Sequence, residues 1–185
     1  MDGITLMMEE HRNIERMLAV VRKACAGVLN GDSIDFTDFE SMMDFIKNYA
    51  DLHHHGKEEK FLFTKMIDEM GGAAEKLVRN GMLVEHDLGR LFMMELKEAL
   101  ERVKAGEEDA KLDVIAHAVS YTHLLARHIN KEDHAAYPFA KRGLSEATLA
   151  AIDHECEVFE KEQAESGIQK KYLDLLEALE NKYLR

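Results

Sequence analysis

Two short stretches of this chain carry the same chemistry. His54 to Phe63 reads His-His-Gly-Lys-Glu-Glu-Lys-Phe-Leu-Phe, and His128 to Tyr137 reads His-Ile-Asn-Lys-Glu-Asp-His-Ala-Ala-Tyr. In each, a His is followed four residues later by a Glu, His54 to Glu58 and His128 to Glu132. That separation puts both side chains on one face of an α-helix, so each copy is a two-ligand claw. Glu10-His11 and Glu85-His86 form a second matched pair upstream, at nearly equal offsets from the two claws. The chain therefore reads as two similar halves, each supplying one single His and one His-x-x-x-Glu.

Imidazole suits iron, zinc, copper and nickel, and mixed imidazole and carboxylate sets suit non-haem iron. A carboxylate has two oxygens and can bridge two cations. Two facing claws thus fit a dinuclear site, with Glu58 and Glu132 as bridges and His11, His54, His86 and His128 as terminal ligands. A single His on a helix is more often structural than ligating. Matched repetition in register reverses that reading, because solvated faces have no reason to repeat His and Glu together. Within His53-His54-His55 the register is a choice, since His55 and Glu59 share the same spacing; Leu52 and Leu62 favour His54 facing inward. Symmetry with Glu58 likewise favours Glu132 over Asp133. His123, His117, His134 and His154 fall off the face or the level of the claws.

These residues need long helices to hold them. The chain has 185 residues, 46% hydrophobic and 32% charged, with one Pro and no Trp, a helical composition with material for one core. Apolar residues recur at helical steps from about Ile4 to Leu29, then from Asp35 or Thr37, with a Thr37-Glu40 capping box, to Gly71-Gly72. A third helix runs from Ala73 or Gly81 to Gly106, and a fourth from Leu112 to Gly143, kinked or ended by Pro138. Two amphipathic segments follow, one after Ser145 and one after Ser166-Gly167. Short connections predict an all-α, up-down-up-down antiparallel four-helix bundle over 1–143, with a C-terminal helical extension over 144–185 packing on it.

A net charge of -12 argues against nucleic acid and anionic membrane surfaces as partners. No apolar run approaches the roughly 20 residues of a membrane span, and no secretory leader is evident, so a cytoplasmic location is expected. Cys25 and Cys156 lack Cys-x-x-Cys spacing and read as buried, reduced thiols. The eleven Met fall largely at core positions.

The sequence resembles the hemerythrin-like proteins, also named for a His-His-Glu cation-binding domain. The resemblance rests on Glu10-His11, on His54-His55-Gly56-Lys57-Glu58-Glu59 with Leu62-Phe63, on Glu85-His86-Asp87-Leu88-Gly89-Arg90, and on His128-Ile129-Asn130-Lys131-Glu132-Asp133 with Tyr137-Pro138. It implies a four-helix bundle around two non-haem iron ions, oxo- or hydroxo-bridged, held by His11, His54, Glu58, His86, His128 and Glu132. It also implies O2 binding at one iron; peroxide or nitric oxide as the small ligand, an electron donor of unknown identity, and a monomer or weak homo-oligomer are further expectations. One departure stands out: oxygen-carrying members have a second His four residues after the third-helix ligand, where this chain has Arg90. An Arg does not ligate, but could hold an anion beside the metals. Tyr121, one heptad before His128, could fill the missing position or hydrogen-bond a ligand from behind. This shifts the expectation from reversible O2 carriage toward sensing, storage or detoxification, with turnover of peroxide or nitric oxide as the alternative, or an iron-sensing, partner-binding bundle.

Overall fold

A computed structural model describes residues 2–185 and shows six helices joined by short turns, with no strand among the described residues. Helix α1 spans Gly3–Leu29, capped by Asp2, whose carboxylate accepts from the Thr5 amide. Helix α2 is continuous over 36–70, α3 over 72–104 and α4 over 110–143; α5 spans Glu146–Glu165 and α6 Ile168–Tyr183. Asp35, rather than Thr37, caps α2 by accepting from the Asp38 amide. Gly71 turns the chain at φ 70°, a conformation that glycine adopts at little cost, and α3 starts at once from it. The four long helices form an antiparallel bundle, and α5 and α6 pack along α1.

The bundle core has two parts. Ile14, Met17, Val21, Phe45, Tyr49, Val114 and Leu125 fill one half, while Met7, Leu62, Phe63, Met66, Ala136 and Tyr137 fill the other. Between them lies a polar layer that is as buried as the core: His11, His54, Glu58, His86, His128 and Glu132 are each at most 2% exposed. Burying so many polar groups is costly unless each is paired or coordinated, so this layer is the feature that the fold is built to hold. No helix among the described residues is long and apolar enough to cross a membrane.

The helices are not uniformly α. Ile46–His55 and Glu58–Phe63 in α2, Val78–Met82 in α3 and Glu132–Ala136 in α4 are π-helical, with wider turns closing from i to i+5. Such turns rotate less per residue than an α-helix, so consecutive side chains spread over a narrower arc. Pro138 follows directly on the wide turn Glu132–Ala136, and α4 runs through it to Gly143 instead of ending there; this proline has no amide to donate, and the widened turn precedes it.

Candidate metal centre

Two groups of donor atoms converge in the buried layer. His11, His54, Glu58 and Glu132 form one, and His55, Glu58, His86 and His128 the other, with Glu58 common to both. The Glu58 Oε2 atom lies 3.6 Å from His54 Nε2 and 3.6 Å from His86 Nε2, one imidazole from each group. Glu132 reaches both sides with separate oxygens, Oε2 at 3.3 Å from His11 Nε2 and Oε1 at 3.1 Å from His128 Nε2. The His86 and His128 Nε2 atoms are 3.0 Å apart, both aimed at one point. The structure thus gathers all six residues singled out by the repeat.

It adds a seventh. His55 is buried, and its ring stacks on that of His86 with centroids 3.8 Å apart. The one-face argument that set His54 against His55 does not hold, because both lie in the π-helical stretch of α2 and each joins a different group. Leu52, used to define the inward face, is 57% exposed, whereas Leu62 is fully buried. His55 thus brings a third imidazole, from α2, to the group of His86 and His128, and Tyr121 lies beside His55 and His86 on the wall of a neighbouring cavity.

Every one of these imidazoles is held from behind by a carboxylate on its Nδ1. His11 meets Asp133 at 2.7 Å, His54 meets Glu10 at 2.8 Å, His86 meets Glu59 at 2.7 Å and His128 meets Glu85 at 2.9 Å. His55 meets Asp51 at 3.4 Å. This arrangement fixes the tautomer and turns each Nε2 inward, which is how metal-binding histidines are oriented. Asp133 therefore serves His11, leaving Glu132 to face the centre. Tyr137 donates to Glu58 Oε1 at 2.5 Å, and its hydroxyl is 3.5 Å from His11 Nε2.

Arg90 lies outside this chamber. Its guanidinium donates to Asp51 at 2.7 Å, Glu59 at 2.8 Å and Asp87 at 2.9 Å, so it is neutralised by three carboxylates and is not presented to an anion at the centre. Two of those carboxylates hold His55 and His86, and Arg90 acts on the site through them.

The polar layer fits a metal by a specific test. His54 Nε2, Glu58 Oε2 and both oxygens of Glu132 are fully buried without a hydrogen-bond partner in the protein. Orphaned buried acceptors are costly, and these point into the two groups of donors. The ionisation pattern agrees. Burial raises the Glu58 carboxyl well above its usual range, and the Glu132 charge adds to this. Burial opposes ionisation of Glu132 too, but the charges on His128 and His11 hold it well below. Burial and the charge on His11 push His54 down to about 4, and burial with the charge on His86 holds His55 well below its usual range. Burial works against protonation of His11 and His128, yet the hydrogen bond to Asp133 and the Glu132 charge bring His11 to about 9, and the Glu132 charge brings His128 to about 10. Two imidazoliums thus balance the carboxylates, and cations bound there would displace those protons.

Three partners escaped the sequence reading. Lys57 and His53 are buried, at 0% and 1% exposed, and both meet Glu10 from α1 and Glu160 from α5. Those partners come from distant parts of the sequence, so no local pattern announces them. Tyr137 was visible only as part of a motif. His134, His154 and His123 are exposed, and His117 pairs with Glu95 at 3.0 Å.

No curated protein matches the chain. The profile of the hemerythrin HHE cation-binding domain matches residues 2–140, which takes in all four bundle helices up to the last turn of α4 and every residue of both donor groups. The chain belongs to the hemerythrin HHE cation-binding family.

Proposed function

We propose that the centre holds two iron ions, and that the protein binds O2 or a related small oxidant there for sensing, storage or detoxification. The observation that carries this reading is the sharing of Glu58 between two donor groups of three and two imidazoles, with Glu132 reaching into both. Five imidazoles and two carboxylates are a donor set suited to non-haem iron, and carboxylates from facing helices are the usual means of holding two irons in a bundle core. The iron would supply the electrons that a bound oxidant accepts. The chain's own residues orient the ligands, exclude bulk water and, through the Tyr137 hydroxyl, offer a hydrogen bond at Glu58.

Tyr137 also favours a second reading, an oxidoreductase turning over peroxide or nitric oxide with an external electron donor, because its buried O–H lies within reach of both Glu58 and His11. Two buried free thiols and a strongly acidic surface fit a cytoplasmic protein that acts as a monomer or weak homo-oligomer. The test is an anaerobic optical spectrum of the iron-loaded chain before and after O2, together with metal analysis. Two irons per chain and new absorption that reverses under vacuum would support binding; steady consumption of peroxide or nitric oxide with a reductant would support turnover. Well under two irons per chain, in protein loaded with iron in excess, would sink the dinuclear reading.

A further inference from the structure

Exposed large apolar side chains such as Leu29, Leu112 and Leu184 are scattered along this chain, but four gather on the first half of α3. Val84 is 45% exposed, Leu88 39%, Leu91 39% and Met94 54%. Steps of four and three residues put Val84, Leu88 and Leu91 in one row, the spacing of a coiled-coil seam, and Met94 borders it. Toward α4 the row runs into a groove lined by Leu88, Phe92, Val119 and Leu124, with Arg127 in its wall and no carboxylate there. Arg127 is exposed, with no carboxylate in ion-pair reach among the described residues. Asp87 lies about 140° around the helix from Phe92, on the other side of the row. Its side chain is 77% exposed and bonds Arg90 through one oxygen only. The two C-terminal helices pack against α1 and α2, away from this face.

We propose that this face binds a second copy of the chain, in a two-fold dimer whose axis runs along α3. The two α3 rows then lie parallel and meet residue for residue, and the α4 side of each subunit meets the opposite side of the other's α3. Charge selects this arrangement. His86 and His128 approach to 3.0 Å across the bundle, so their chain neighbours Asp87 and Arg127 stand at one height. The parallel two-fold therefore sets Arg127 against the partner's Asp87 along both edges of the apolar row, whereas an antiparallel one would bring the two α4 sides together and leave each Arg127 without a carboxylate. An apolar centre with charges at its rim is the make-up of a protein interface. A short row, on copies that each carry a net charge of -12, makes the dimer weak and reversible. The proposal turns the homo-oligomer named above into one surface and one symmetry, and it does not depend on the iron.

Sedimentation velocity on the iron-loaded chain, from about 1 μM to about 1 mM, should show a reversible equilibrium between monomer and dimer. Leu91→Lys should raise the dissociation constant about a hundredfold, because it sets an ammonium in the apolar row. Asp87→Lys and Arg127→Glu should each weaken association about tenfold, two rim pairs being lost at once, and the chain carrying both should recover it. Val84→Cys and Leu91→Cys, one heptad apart and made in separate chains, should each oxidise to a symmetric disulfide, the native Cys25 and Cys156 being buried; an antiparallel pair would bridge at one of the two at most. A chain that stays monomeric throughout, association unmoved by Leu91→Lys, no recovery in the double variant, or bridging at one position alone overturns the inference. Metal analysis of the same samples keeps the two readings apart. A dimer with well under two irons per chain removes the dinuclear reading and leaves this surface standing, and a monomer with two irons does the reverse.

Discussion

Lys57 and Glu160 form an ion pair that ties the fifth helix to the metal layer. The Lys57 ammonium is fully buried, and besides Glu160 it bonds Glu10 and lies 3.2 Å from His53 Nε2. Glu10, in turn, carries His54 on its other oxygen at 2.8 Å. A helix beyond the matched residues 2–140 thus completes the support of a metal-facing imidazole. Removing one member of a buried pair leaves the other uncompensated, at a cost of about 3–5 kcal/mol. Glu160 is 19% exposed at its side chain, so the lower end applies. Glu160→Gln should lose about 3 kcal/mol in denaturant unfolding, and its metal affinity should fall roughly tenfold, the low end for loss of a ligand's supporting partner. Unchanged affinity in a chelator competition would show that the fifth helix supports the fold alone.

The two neighbouring histidines of α2 should be separable. His54 belongs with His11, and His55 with His86 and His128. His54→Ala and His55→Ala are each expected to cut iron from about two toward one per chain, whereas Glu58→Ala, which removes the shared carboxylate, should cost both. Metal analysis of the three variants after identical loading decides it. A His55→Ala protein that keeps full iron and an unaltered spectrum would remove His55 from the centre.

That pair also marks the boundary of what the sequence made legible. The repeat of His-x-x-x-Glu exposed the claws, and helical periodicity with glycine turns exposed the helices, because both depend on residue type at short range. The inward turn of His55 depends instead on the π-helical widening of Ile46–His55, a response to packing around the polar layer that has no local signature. His53 lies in the same stretch, and Lys57 two residues beyond its end. Arg90 stands out in the sequence, but its partners Asp51 and Glu59 come from another helix, and only the fold shows how its charge is paired.

Arg90 gives the next prediction. Its guanidinium joins Asp51 and Glu59, the carboxylates behind His55 and His86. The side chain is 40% exposed, so the ion pairs themselves contribute at most about 1 kcal/mol to stability. The larger effect should be on orientation. Arg90→Ala is expected to weaken one of two metal-binding events, that of the His55, His86 and His128 group, by about tenfold while leaving the other unchanged. Arg90→Lys should not restore it, since an ammonium cannot span two carboxylates as a planar fork does. Equal loss at both centres would contradict this route.

The thiols give a prediction away from the centre. Cys25 is 2% exposed and Cys156 1%, and burial raises each thiol to about 11. Since the thiolate is the reactive form, neither should be alkylated at pH 8 in the folded protein, and both should react on unfolding. Around Cys156 there is no room for an adduct, because even a Cβ on Gly3 of α1 would come within 2.9 Å of its Sγ. The same shift has a sign in stability. In the unfolded chain a thiol loses its proton near pH 8.5, whereas in the fold it keeps it to about 11. Between those values the native state binds more protons, so stability falls as pH rises through this window and is fully retained below it. Replacing both residues by Ser would abolish that alkaline component, at the cost of burying two hydroxyls. Denaturation midpoints measured at pH 8 and pH 10.5 should therefore differ less in the double variant than in the wild type; an equal difference would place the alkaline sensitivity elsewhere.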